Sequence, residues 1–565
     1  MSNTPRATVA LAMFALLGAA MVAAAGCSSS TADISDEGRG DVGTPPPTTP
    51  ATPSTSVPQK PEGADRVADL RAGPLGKQEQ PNRDDSPSAK EDPKSKPKKE
   101  KFDPVKENGP IFVGWPKPKL AIVITGQQMG YLEPCGCAGL DRMKGGLSRR
   151  HSMFRDLRGK RGWPVVAVDV GGNSKGFGLQ AELKFHLIAD ALRKMGYGAV
   201  GLGTADLRMP TTDLVSEATP IGEKPGLFIS SGVGLFGFDA GFTGRPRIVE
   251  AAGMKIGVIS VLGKEYQKQI NNPELEMLDP EAVLSKQFPE LKKECDLLVL
   301  LAHATIEESI ALGQKFPDFD LVVTAGGAPE PPARAALIEG TKKTRLIEVG
   351  EKGMNAIVVA YFDDPATPLR YQRVPLDSRF ASSEDMKQLM AAYQGQLKDL
   401  GLEGLGIRAV SHPRKETNGG FVGSAKCESC HEESYDVWKK SGHRKGWKTL
   451  AELDPPRNFD PECISCHVVG WNPQKYFPYG SGFQSAEKTP HLFGVGCENC
   501  HGPGQNHVAA EMGNDKPLQE AMRKAVIVTK ADAEKRLCLE CHDLDNSPDF
   551  EFGTYWPKVE HYEDE

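Results

Sequence analysis

Four short segments between residues 427 and 542 share one spacing: CESCH (427–431), CISCH (463–467), CENCH (497–501) and CLECH (538–542). Eight of the chain's 12 cysteines fall there as four CxxC pairs, and each pair is followed at once by a histidine. Histidine occupies only 12 of 565 positions, so four chance placements have a probability on the order of 10⁻⁷ for this pattern. A zinc ribbon does not need the adjacency, because tetrahedral zinc accepts its four ligands in any order. Disulfides account for the thiols and leave the histidines unexplained. Covalent haem needs both: two thiols add to the two vinyl groups, and the next residue presents an imidazole to the iron.

The reading is four covalently bound haem c groups. They attach at Cys427 and Cys430, Cys463 and Cys466, Cys497 and Cys500, and Cys538 and Cys541, with His431, His467, His501 and His542 as proximal iron ligands. Roughly 140 residues carry too little apolar side chain for an ordinary core, so the macrocycles are expected to form much of it. For the sixth ligands the region offers His443, His491 and His507 as the stronger candidates, with His561 and His412 after them. Met512 and Met522 read as helix packing. An iron left five-coordinate would bind a small ligand, the route from carrier to haem oxidoreductase.

The segments FVGSAKCESCHEESYDVWKKSGHRKGW, PECISCHVVGW and TPHLFGVGCENCHGPGQNHV resemble the tetrahaem cytochrome c-554 family over about the last 150 residues. That resemblance implies electron shuttling, mostly bis-histidine haems in stacked pairs, and one iron lacking a strong protein ligand. By position, it makes His443, His491 and His507 the distal ligands.

At 565 residues the chain is too long for one core. The reading is multidomain: a lipoprotein signal peptide (1–26), a disordered linker (27–110), an α/β layered domain (111–375), a helical connector (376–415) and a mainly helical, loop-rich tetrahaem domain (416–565). An apolar run from Val9 to Ala25 follows a single Arg6 and ends in small residues before Cys27. It reads as an export signal, and Cys27 resembles the acylated cysteine of bacterial lipoproteins; a lone membrane anchor is the alternative. Residues 28–109 are rich in Pro, Ser, Thr, Asp and Lys and read as a tether. Net charge is −7 and gives no global basic surface, so nucleic acid is not an expected partner. Expected partners are redox donor and acceptor proteins or quinol-linked complexes, and a membrane through the N-terminal lipid, in the bacterial cell envelope.

Short apolar runs, all but one glycine-ended, mark the α/β domain: 119–126, 164–172, 198–203, 226–232, 255–263, 296–304 and 320–327. They alternate with helical stretches, two later strands finish the set near Pro365, and residues 382–401 form a connecting helix. The strand order and the GGLSRR segment (145–150) resemble the metallophosphoesterase domain of periplasmic 5′-nucleotidases over residues 118–365. That family holds two metals on strand-end loops, and this chain departs at nearly every one. TGQQMG places Gln127 and Met129 at the first, Gly172 stands at the second, and Thr204-Ala205 replaces an Asn-His pair. GGAP replaces the last, and His303 alone keeps its place. Asp169 and Asp206 lie nearby and read equally as turn or cap residues. A two-metal hydrolase is therefore disfavoured, and the domain reads as a binding or docking module. Cys135 and Cys137, in the loop after the first strand, are a redox-active CxC or a soft-metal site with His303 as third ligand. A structural disulfide or two inert thiols is the other reading. Cys295 reads as a buried small residue.

Overall fold

A computed structural model describes residues 102–134, 140–222 and 224–561. The signal segment, the tether through residue 101 with Cys27, and the loop with Cys135 and Cys137 lie outside the described residues. The last part of the expected linker is ordered: helix Pro104–Asn108 is capped by Asp103, and Arg379 donates to Pro104 O and Gly109 O. No helix among the described residues is long and apolar enough to cross a membrane.

Two sheets form the α/β part. The first has the order β13-β12-β1-β2-β3. Its parallel centre is β1 (Leu120–Thr125), β2 (Val165–Asp169) and β3 (Ala199–Val200), and β12 (Asn355–Tyr361) and β13 (Leu369–Pro375) add antiparallel on the far side. The second has the order β10-β11-β9-β8-β6-β5. There β6 (Met254–Leu262), β8 (Leu297–His303), β9 (Leu321–Thr324) and β11 (Arg345–Glu348) run parallel. The edges β5 (Arg247–Ala251) and β10 (Ala336–Leu337) are antiparallel. A small ribbon pairs β4 (Val233–Leu235) with β7 (Leu275–Met277).

Alternation along β1 explains the layering. Leu120, Ile122 and Ile124 pack between the sheets, against Ile256, Val258, Val299, Leu301 and Val323. Ala121 and Val123 face the other way, onto the helices Leu147–Arg155, Leu179–Met195 and Glu384–Gly404. Successive side chains of a strand point to opposite faces, so a strand buried on both must be apolar throughout. The outer face of the second sheet packs on helices Pro280–Glu294 and Ile306–Lys315. Asp279 caps the first of these, and Thr305 with Glu308 forms a capping box on the second. The result is a four-layer α/β/β/α sandwich.

Two expectations are corrected. Residues 226–232 make only one bridge, Phe228 to Val200, although Leu227 O and Ile229 N bond Val200; β3 is too short to extend the ladder. The sheets also do not finish near Pro365, because β13 follows. Like β5, it is an edge strand with a half-exposed, charged sequence, so it lacks the apolar run that marks central strands.

The C-terminal region is built differently. Short helical turns and one ribbon, β14 (Trp471–Asn472) with β15 (Phe477–Pro478), surround a small cluster of Leu450, Ile464, Val468, Val469, Trp471, Phe483 and Leu492. Helix Glu432–Lys440 buries no residue, and helix Lys516–Val526 buries only Gln519.

Fully buried between the two sheets, Ile124 is expected to cost about 2–5 kcal/mol on Ile124→Ala substitution. The measurement is the shift in urea midpoint of the far-ultraviolet circular dichroism transition.

Candidate functional site

Each CxxCH segment closes into a helical turn. His431 N and His542 N donate to the carbonyls of Cys427 and Cys538, at 3.0 and 2.9 Å, and Cys497–His501 is itself a helix. The second motif starts on helix Pro461–Ile464, capped by Asp460. Positions three and four apart share a helix face, so the turn puts both thiols and the imidazole on one side. None of the nine described cysteines is in a disulfide. Cys427 lies in hydrogen-bonding contact with Cys497, and Cys466 with Cys541, so the first motif abuts the third and the second abuts the fourth.

Three pairs of histidine rings come together. His431 and His507 have ring centres 6.2 Å apart, His443 and His542 6.2 Å, and His501 and His561 5.9 Å. An ion held by two imidazole nitrogens at roughly 2 Å each separates the ring centres by about 6 Å. Backbone carbonyls fix the tautomer: Nδ1 of His501 donates to Val526 O, that of His467 to Gly446 O and that of His561 to Val559 O, each at 2.8 Å. For His501 and His561, a metal would then be bound through Nε2. Burial holds His443 down at about pKa 4, with His542 and His467 adding to the shift, and burial also lowers His467, His501, His507 and His542. Neutral imidazole is the ligating form.

The structure sets His561, rather than His491, against a motif histidine. His491 is exposed on the turn Pro490–Leu492, its carbonyl packed toward Gly423. His412 packs edge-on against Tyr479 and Phe421, and its Nδ1 accepts from Arg414 N. The residues fit covalent haem: paired imidazoles about 6 Å apart, unbridged thiols, and a small apolar cluster with exposed Leu539, Leu544 and Ile527 beside the motifs. Such surface calls for an apolar group to cover it.

At the strand ends of the sandwich, the candidate ligands are engaged in holding the loops. Asp169 accepts from Thr125 Oγ1 (2.6 Å), Gly171 N (2.9 Å) and Asn173 Nδ2 (3.2 Å). Asp206 accepts from the backbone N–H groups of Gly172, Ser174 and Gly203, each at 2.8 Å. Burial raises both carboxyls. His303 is 3% exposed; its Nδ1 donates to Val170 O and its Nε2 accepts from Thr204 N, both at 3.2 Å. The ring ties the β2 loop to the β3 loop, with both nitrogens used. Gln127 donates to Ala325 O (2.9 Å), and its side-chain oxygen fills the space a Cβ at Gly172 would need. No group of three or more His, Cys, Asp or Glu side chains is placed to hold a metal ion among the described residues. This donor set does not fit a two-metal centre. Half-buried Cys295 packs on the outer-face cluster.

Sequence reading missed three buried charged groups. Arg150 is fully buried and donates to Gln128 Oε1. Glu133 accepts from Ser148 N at 2.8 Å, and burial lifts it to about 7. Lys184 pairs with Glu462 at 2.6 Å across to the second motif. A signal for Lys184 was available: it lies on the apolar stripe of its helix with Ala181, Phe185 and Ile188.

Burial keeps His303 neutral down to about pH 4. The unfolded chain protonates this histidine below the ordinary 6.5, so its share of stability is complete above that pH and is lost as pH falls toward 4. At roughly 1.4 kcal/mol per pH unit, the loss reaches about 3 kcal/mol. Urea unfolding of wild type and His303→Gln between about pH 4 and 7 is expected to show a shallower pH slope in the variant.

Comparison with known proteins finds similarities for both parts. Residues 426–502 match the family model described as "Cytochrome c554 and c-prime". Cytochrome c-554 of Nitrosomonas europaea is 32% identical over 147 residues, 23% of this chain and 60% of that protein. Among solved structures, a 5′-nucleotidase precursor of Thermus thermophilus is 17% identical with a TM-score of 0.43, covering 50% of this chain and 59% of that one. The calcineurin-like phosphoesterase YfkN of Bacillus subtilis is 13% identical with a TM-score of 0.38, covering 49% of this chain and 97% of that one. The chain spans less than two thirds of the length of both the cytochrome and the nucleotidase. It joins a C-terminal region similar to the c554 cytochromes to a layered α/β sandwich.

Proposed function

We propose that the chain is an exported, lipid-anchored electron-transfer protein of the bacterial cell envelope, carrying four covalently bound haem c groups. The observation that carries this reading is the meeting of three distal histidines with three CxxCH turns, at ring separations of 5.9–6.2 Å. When bound, haem supplies the reversible one-electron couple of its iron. The protein's part is attachment, ligation and spacing. His507 serves the first motif, His443 the fourth and His561 the third. Contacts between thiols of the first and third motifs, and of the second and fourth, bring the attachment points together in pairs. Haems held at these turns would be carried as two neighbouring pairs, the spacing that electron transfer between them would need. Cys430 is exposed, so the first motif reaches the surface.

The sandwich is read as a docking domain, and part of what it docks is this chain's own C-terminal region. Lys352 pairs with Asp545, just past His542, and Arg142 pairs with Asp549 at 3.4 Å. Lys352 N also donates to Gln127 O, so the strand-end loops support the fourth motif directly. Donor and acceptor proteins, or a quinol-linked complex, are the proposed external partners, with Cys27 as the lipidated residue. Cys135 and Cys137 are kept as a redox or metal loop, without His303 as third ligand, because both nitrogens of that ring are engaged with Val170 O and Thr204 N.

Mature protein made with haem-attachment machinery is expected to contain four haems by pyridine haemochrome assay. Each of His443→Ala, His507→Ala and His561→Ala is expected to convert one low-spin ferric haem to high spin in low-temperature electron paramagnetic resonance. His491→Ala is expected to leave the spectrum unchanged. A wild-type high-spin signal that shifts with nitric oxide would move the reading to a haem oxidoreductase.

A further inference from the structure

A buried polar knot joins the sandwich to the second CxxCH motif. Lys184 lies on helix Leu179–Met195 of the sandwich and is 7% exposed; its Nζ donates to Glu462 Oε2 at 2.6 Å. Glu462 immediately precedes Cys463. Asp460, 6% exposed, caps the helix that carries Cys463. Its carboxylate accepts from Gln180 Nε2 (2.8 Å) on the same sandwich helix and from Gln394 Nε2 (3.1 Å) on Glu384–Gly404. Tyr393 OH closes the knot, accepting from Gln180 Nε2 at 3.1 Å. Burial alone would push the Lys184 ammonium down, but Glu462 and Asp460 more than offset this, and its pKa lies above the ordinary lysine value. Lys184 therefore carries a full positive charge inside the protein, paired with the residue next to a haem-attachment cysteine.

We infer that Lys184 sets the reduction potential of the haem attached at Cys463 and Cys466, acting as a positioning and charge-tuning residue that the sandwich lends to the cytochrome region. The inference rests on the four-haem reading above. Reduction of a ferric haem adds one negative charge. A fixed cation nearby stabilises the reduced form and raises the potential, and a carboxylate does the opposite. The Lys184 charge is buried and therefore weakly screened, so its effect survives physiological salt. Net charge and burial around a haem are among the levers that set its potential. The sandwich then has a role that does not depend on a metal centre of its own: two of its helices hold the second motif and supply the charge beside it.

The test uses the full-chain holoprotein, titrated potentiometrically with optical and paramagnetic resonance readout. Lys184→Met is expected to lower one of four midpoint potentials, and Glu462→Gln to raise the same one. The double variant is expected to lie between the two, with the other three potentials unmoved. A Cys463→Ser/Cys466→Ser variant identifies the affected wave by its disappearance. If Lys184→Met does not fold, Glu462→Gln still decides, since its side chain is 42% exposed and tolerates the isosteric amide. Single variants that leave every potential in place, or move it in the same direction, overturn the inference. A wild type holding fewer than four haems by pyridine haemochrome overturns the four-haem reading, and this separate readout distinguishes that failure from the other.

Discussion

The imidazole pairs are what the C-terminal region is organised around. Three of them bring together segments far apart in sequence: residue 431 with 507, 443 with 542, and 501 with 561. In an ordinary domain such long-range closure is driven by apolar burial, at roughly 25 cal/mol per Å². Here the apolar cluster is small and several helices bury almost nothing. Ligand pairs and thiol attachments therefore have to supply the long-range order, much as a structural metal supplies folding free energy to a small domain. Segment 543–561 makes the point, since its exposed Leu544 and its ring pair through His561 have no sheet or long helix to hold them.

The sandwich follows the opposite logic. Its central strands are apolar on both faces, its helices are capped by Asp279 and Thr305, and its fold stands on burial. Where a hydrolytic centre would need open ligands, it has satisfied ones. Asp206 spends its carboxylate on three backbone N–H groups, and His303 spends both ring nitrogens on two loops. A carboxylate in that position stabilises loop geometry by roughly 1.5–3 kcal/mol per charge-assisted bond. Releasing it to a cation would forfeit those bonds.

How much of this could be read in the sequence depends on how local the signal was. The CxxCH turns were legible because their chemistry is written in five consecutive residues. The central strands were legible because burial on two faces leaves an uninterrupted apolar run. Edge strands β5 and β13 were not, since half-exposed charged residues such as Arg370 and Arg373 give no such run. The imidazole pairing was legible only in part. His443 and His507 sit near motifs that the resemblance covers, whereas His561 meets His501 through the path of the last stretch of chain, which no short-range pattern encodes.

The least legible feature is the one that joins the two parts. A lysine on the apolar stripe of a helix announces a buried partner without naming it. Its partner Glu462 looks like an ordinary first-turn acid on a helix of 4 residues. Only the fold shows that Lys184, Gln180 and Gln394 converge on Asp460 and Glu462. A buried lysine is weak evidence for stability even when paired, because the desolvation cost of its ammonium offsets the attraction to Glu462 and Asp460. Retaining one at the boundary between a sandwich and a haem-attachment helix makes physical sense if the charge is wanted there. Stability alone would be served as well by apolar packing between the two helices and the second motif.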